Sequence, residues 1–265
     1  MKKTRIISVT NNKGGVGKTT STINLGYALA RKGRKVLLID LDGQASLCVS
    51  LGINPTTYLE RSIVQELLKQ KEAKECVLKL NENVYLIPSN DLLEEASNII
   101  SSKPYKESIL RKALEPIKAY FDYILIDCPP SLNVLTENAL GTSNEVIVPV
   151  QSEYLALQGT SQIMKKINEM QEGNEELKLT GVFATLYDAR TNLSRQVSEV
   201  LQQQFKDKAF KTIISNNVSL AEAPSHQKDI FSYEPNSTGA RDYEALAEEI
   251  LAQEERAINE QIETL

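Results

Sequence analysis

Residues 11–20 read Asn-Asn-Lys-Gly-Gly-Val-Gly-Lys-Thr-Thr. Gly14, Gly15 and Gly17 carry no Cβ, so consecutive backbone N–H groups around Val16 can turn inward onto an anion. Lys18 supplies an ammonium with the reach for β- and γ-phosphate oxygens. The Thr19 hydroxyl, followed by Thr20, is a hard donor suited to Mg²⁺. The chemistry this spacing supports is binding of a nucleoside triphosphate. The usual pattern has glycine five residues before Gly17, where this chain has Asn12, and a second lysine, Lys13, opens the loop.

Such a loop works only between a strand and a helix. Arg5–Thr10 (Arg-Ile-Ile-Ser-Val-Thr) is β-branched and largely apolar, as a buried parallel strand is. From Lys18 to Lys32, Ile23, Leu25, Gly26, Ala28 and Leu29 recur at helical spacing, and Gly33 follows as a stop. The unpaired amides and partial positive charge at the start of that helix add to the anion site.

Two further predicted strands end in acids. Lys35–Asp40 is followed two residues on by Asp42, and Phe121–Asp127 closes on Asp127. In open parallel sheets ligands bind beyond the carboxyl ends of the strands, which brings all three carboxylates beside the phosphate loop. Hydrolysis of ATP needs neutralised charge at the γ-phosphate, a metal and a positioned water. Lys18, Thr19 and Mg²⁺ meet the first two needs. Asp127 is expected to hold Mg²⁺, often through water, Asp40 to support the metal shell through water, and Asp42 to position or activate the attacking water.

Around these residues the pattern predicts helices at 60–69, 92–100, 105–119 (with Pro116 disturbing its last turn), 131–140, 156–171, 194–205 and 239–251. Further strands are expected at 83–87, 145–150, 179–186 and 211–214. The alternation predicts an α/β fold, a mostly parallel twisted sheet flanked by helices on both faces. A length of 265 residues suits a single domain, 1–265, with an acidic C-terminal helix or tail from about 241. Eight acids against two bases lie between Arg241 and Leu265, more than the whole net charge of −5, so overall acidity does not exclude a basic face elsewhere. No apolar stretch approaches a membrane span, and the basic N-terminus runs into a strand instead of a signal sequence. Cys48, Cys76 and Cys128 lack metal-ligand spacing and read as reduced, mostly buried thiols of a cytoplasmic protein. The lone His226 offers no basis for a catalytic triad or a zinc site.

The loop Lys13–Thr20 resembles the deviant phosphate loop of the ParA/MinD family of P-loop ATPases. In that family the extra lysine reaches across a nucleotide-sandwich dimer to the partner's ATP, which marks Lys13 as a catalytic candidate that senses dimerisation. Asp40-Leu-Asp-Gly-Gln-Ala-Ser resembles the family's Asp-x-Asp-Pro-Gln switch, with Gly43 replacing the proline and enlarging the freedom of the turn. Leu186–Ser194, Asn217–His226 and Ser237–Tyr243 are similar to the small, chromosomal-type ParA proteins known as Soj. The resemblance runs from Arg5 to about Ala252. It implies an ATPase of a DNA partition system, with ATP and Mg²⁺ as cofactors. An ATP-bound homodimer would bind non-specific DNA, and a ParB-like centromere-binding partner would stimulate hydrolysis. A first strand at Arg5 implies that the helix-turn-helix domain of the larger plasmid repressors does not precede it.

The same resemblance points to Arg190 as one DNA-binding position, with Lys211 among further candidates. Where the family reads Ile-Pro-Arg-Asn-Val-Arg, this chain reads Ile214-Ser-Asn-Asn-Val-Ser219, so two arginines are missing at Asn216 and Ser219. Fewer phosphate contacts imply weaker binding with a flatter salt dependence. Asn217 keeps the position that contributes to adenine and ribose binding. Two alternatives stay open. A MinD-like, membrane-associated ATPase would need a basic amphipathic C-terminal helix, whereas residues 245–265 are acidic and lack lysine. An ATP-switched regulator with little DNA binding would need only the nucleotide switch. Localisation is expected in the cytoplasm, on the nucleoid if DNA is bound, and the acidic tail is a candidate to attract a basic partner segment.

Overall fold

Seven strands form one sheet: β1 (Arg5–Val9), β2 (Val36–Asp40), β3 (Leu78–Lys79), β4 (Val84–Ile87), β5 (Tyr123–Asp127), β6 (Glu145–Gln151) and β7 (Lys178–Thr185). Their order is β3-β4-β2-β5-β1-β6-β7, parallel throughout except for the β3–β4 edge pair. The computed structural model describes residues 3–153 and 156–263, with the side chains of 156–159 and 257–263 outside it. The acidic tail residues Glu260 and Glu263 therefore lie outside the described side chains.

Parallel strands need crossover connections, and these put helices on both faces. That is why the inner strands carry consecutive apolar residues, such as Val36-Leu-Leu-Ile39 and Tyr123-Ile-Leu-Ile126, and not alternating ones. On β2, Leu38 faces the cluster that includes Leu25 and Leu29 of the helix Lys18–Arg31 and Leu246 of the closing helix Thr238–Glu263. Leu37 and Ile39 of the same strand face the other cluster, with Leu93, Ile100 and Leu110. Close approach is built into the first helix: a Cβ on Gly26 would stand 2.6 Å from Leu38 Cδ2. A third cluster packs Ile163 and Ile167 on β6 and β7.

Register decides where the chemistry lands. Val9 pairs with Asp127, and Asp40 pairs with Asp127 from the other side. The strand ends that carry the glycine loop and the two acids therefore emerge together at one edge of the sheet.

Several expectations are corrected. The segment expected as one helix over 105–119 is broken into 3₁₀ turns at Lys106–Ser108 and Lys118–Tyr120 around a short helix Ile109–Leu114; Tyr105 stands at φ +54° before the first turn, and the short helix stops two residues before Pro116, which cannot continue the ladder. The helix expected over 60–69 is only Ile63–Leu67, preceded by a 3₁₀ stretch Pro55–Arg61. The two-residue strand β3 was not anticipated. Residues 211–214 form no strand; Ile214 donates to Ala184 O at 2.9 Å, but the amides of Lys211 and Thr212 are taken by a Glu249 carboxylate. The acidic C-terminal region is a helix whose charges are largely engaged within the chain. Glu244 and Glu248 meet Lys32, Glu249 takes those two amides, and Glu254 meets Tyr123 and Arg34. All three cysteines are free and buried, as expected. No described helix is long and apolar enough to cross a membrane.

Candidate nucleotide-binding site

The loop between β1 and the first helix lines one end of a cleft of about 370 Å³, large enough for a nucleotide. Gly15 and Gly17 sit at φ +74° and +86°, in the left-handed region where a side chain is strained. Gly17 is the last residue before the helix, and no side chain caps the helix start, so its first amides remain for a ligand. Lys18 is buried and bends back along the loop to donate to Lys13 O at 3.0 Å. Burial lowers the pKa of its ammonium, with Asp127 pulling the other way. The Thr185 hydroxyl, at the end of β7, donates to Val16 O at 2.8 Å and ties the loop to the far side of the sheet.

The acids are close together and shielded. The Thr19 hydroxyl donates to Asp127 Oδ2 at 2.7 Å. Burial, reinforced by the like charge of Asp40, pushes the Asp127 carboxyl well above its ordinary range. The Asp40 carboxyl is also raised, by burial first. Its oxygens accept from the amides of Asp42 at 3.2 Å and Cys48 at 3.1 Å, so Asp40 organises the turn that carries Asp42. Asp42 is half-buried, lines the cleft and accepts from the Gln44 amide at 3.0 Å. In this turn the left-handed conformation falls on Ala45, at φ +50°, and not on Gly43. The freedom anticipated for Gly43 is thus not used for a positive φ, and a Cβ there would meet Glu94 Cγ at 3.4 Å.

Lys13 points elsewhere. Its ammonium pairs with Glu153, just beyond β6, at 2.6 Å. Asn217 lines the same cleft as the glycine loop, with Ser215, Asn216 and Leu220. Its side-chain oxygen caps the short helix Val218–Glu222 by accepting from the Leu220 amide at 3.1 Å. Arg190 is fully exposed and forked onto Asp188, at 2.8 Å for the closer ion-pair contact. Lys211 is exposed and does not line the cleft. The structure thus gathers Gly14, Gly15, Gly17, Lys18, Thr19, Thr20 and Asp42 around the cleft and leaves both DNA candidates outside it.

Sequence reasoning missed Pro130, Thr185, Leu186 and Tyr243, which also line the cleft. Thr185 was within reach, as the last residue of a parallel strand. Tyr243 was not, because it comes from the closing helix and hydrogen-bonds Ser21 at 3.0 Å across 222 positions.

The donor set fits Mg-ATP. Free amides, glycine conformations and a buried ammonium suit a polyphosphate, and a hydroxyl beside a carboxylate suits a hard cation. Among the described residues no group of three or more His, Cys, Asp or Glu could hold a metal by itself.

Comparison with known proteins agrees with this geometry. A sequence profile described as an AAA domain matches residues 4–179. The sporulation initiation inhibitor protein Soj of Bacillus subtilis (strain 168) is 44% identical over 250 residues, 94% of this chain and 98% of that protein. The chromosome-partitioning ATPase Soj of Treponema pallidum (strain Nichols) is 44% identical over 248 residues, 92% of this chain and 96% of that one. Cobyrinic acid a,c-diamide synthase from Mycobacterium smegmatis, with bound ATP analog and magnesium, superposes with a TM-score of 0.82 at 36% identity, covering 94% of each chain. On its phosphate loop, its acids at neighbouring strand ends and relatives that match it almost from end to end, the chain belongs to the ParA/Soj family of P-loop ATPases.

Proposed function

We propose that this protein is the ATPase of a DNA partition system, a single domain that cycles between ATP-bound and ATP-free forms. The observation that carries the enzymatic part is the junction of Lys18, Thr19 and Asp127 at the start of the first helix and the end of β5. Lys18 would neutralise the γ-phosphate region, while Thr19 and Asp127 would hold Mg²⁺. Asp42 orients the water for in-line attack, and Asp40 fixes the turn that presents Asp42. Held there, Mg²⁺ would supply charge stabilisation at the transferring phosphoryl group.

In the partition reading, ATP brings two copies together with Lys13 of each directed to the other's nucleotide. The dimer binds DNA without sequence preference, placing the protein on the nucleoid, and a ParB-like partner accelerates hydrolysis. Similarity to a chromosome-partitioning ATPase over nearly the whole chain supports this. Arg190 and Lys211 are the DNA-contact candidates, and each neutralised phosphate steepens the salt dependence.

The test is binding to non-specific duplex DNA at low and moderate salt with ATP, ADP or no nucleotide, with Lys18→Ala as control. ATP-dependent, salt-sensitive binding lost in the control supports the partition motor. ATP-driven dimerisation without DNA binding at low salt would replace it with an ATP-switched regulator. That second reading is favoured by one observation: Arg190, the matched DNA arginine, is already paired with Asp188.

A further inference from the structure

Ile214, Ser215, Asn216 and Asn217, the end of the segment 211–217, line the cleft together with the phosphate loop, and in the ATP reading the base of the nucleotide lies against them. This segment has no complete strand ladder to hold it. On one side it leans on β7 and its continuation: Ile214 donates to Ala184 O at 2.9 Å, Tyr187 to Ile214 O at 3.1 Å, and Asn216 to Tyr187 O at 2.8 Å. The amides of Lys211, Thr212 and Ser215 turn towards the closing helix. Glu249 accepts from Lys211 N at 3.0 Å and from Thr212 N at 2.6 Å, one carboxylate oxygen to each. Seven residues earlier, two turns along the same helix face, Asp242 accepts from Ser215 N at 2.8 Å. Carboxylate–amide bonds of this kind are charge-assisted and stronger than neutral ones. Both acids are half-buried, and Tyr243, next to Asp242, itself lines the cleft.

We propose that Asp242 and Glu249 are positioning residues for nucleotide binding, which fix the segment 211–217, whose last four residues line the cleft, against the closing helix. Neither touches the cleft; each acts through the backbone it holds. The inference rests on the cleft's being the ATP site and adds the part of the chain that sets its base end. It also gives the C-terminal acids a task inside the molecule.

The experiment is calorimetric titration of the full-length protein with Mg-ATP and, separately, with Mg-tripolyphosphate, which lacks base and sugar. Loss of one or two charge-assisted bonds is expected to weaken ATP binding by about three- to tenfold in Asp242→Ala and Glu249→Ala. Tripolyphosphate affinity should stay within about twofold, because the phosphate loop is held independently. Glu249→Gln keeps one acceptor oxygen and is expected to recover part of the loss. Should Glu249→Ala not fold, Asp242→Asn takes its place in the same titration. Unchanged ATP affinity overturns the proposal, and so does an equal loss for both ligands, which would mark a general loosening. ATP binding by the unmodified protein checks the cleft itself, so a defect confined to the variants reads on the two carboxylates.

Discussion

The Lys13 ammonium lies 2.6 Å from Glu153, so the additional lysine of the phosphate loop is held by the segment just beyond β6. Both side chains are substantially exposed, at 38% and 51%, and such pairs contribute only about 0.2–1 kcal/mol. The pair is thus weak enough to open when a better anion arrives. Lys13→Ala is expected to leave the unfolding free energy within about 1 kcal/mol of the parent. The same variant should lose ATP-dependent dimerisation in sedimentation velocity. A variant that dimerises normally with ATP would remove Lys13 from the dimer interface.

Asp127 and Asp40 stand side by side at the ends of adjacent strands, both fully shielded from water. In the absence of a bound cation the like charges of the two carboxylates oppose folding. Asp127→Asn is expected to raise stability in the absence of nucleotide by roughly 1–3 kcal/mol, while cutting Mg-dependent phosphate release by about 100-fold or more. Thermal unfolding and a phosphate-release assay read the two effects separately. A lower melting temperature would mean that the Thr19 hydrogen bond outweighs the repulsion.

Glu66, on the short helix Ile63–Leu67, is buried with neither carboxylate oxygen hydrogen-bonded. Burial pushes its pKa up to about 8. The unfolded value is about 4.3, so the folded state binds a proton more tightly than the unfolded state does. The resulting penalty is absent below that value, grows as pH rises and levels off above about pH 8. Glu66→Leu is therefore expected to gain roughly 2–4 kcal/mol more over the parent at pH 8 than at pH 4. Urea unfolding at the two pH values decides it; a pH-independent difference would show that Glu66 finds a partner.

Gly181 on β7 leaves the space that the Phe210 ring fills: a Cβ there would stand 2.2 Å from Phe210 Cε2. Phe210 in turn packs edge-on against Phe183, with ring centroids 6.2 Å apart. Gly181→Ala should cost about 1–3 kcal/mol by overpacking. Combining it with Phe210→Leu should cost less than the two changes added separately. Strict additivity in chemical denaturation would reject the contact.

The parts of this protein that were readable one residue after another were those governed by short-range rules. The glycine loop follows from the absence of Cβ at three positions, and the buried strands from unbroken apolar runs. The acids at strand ends follow from the topology that parallel strands enforce. Thus β1, β2, β5 and the first helix emerged where the sequence placed them, and Lys18, Thr19 and Asp42 line one cleft, with Asp127 hydrogen-bonded to Thr19. The segment 211–214 did not, because a β-branched run is only half of a ladder.

What the sequence by itself determined is therefore the identity of the phosphate end of the site and the order of the elements that present it. What only the tertiary structure decided is who holds the other end. The amides of Lys211, Thr212 and Ser215 find their acceptors 27 to 38 positions downstream, Thr185 reaches Val16 across 169, and Lys13 meets Glu153 across 140. Such partners leave no local periodicity, since each is chosen by which surfaces the packed sheet and its covering helices bring into contact.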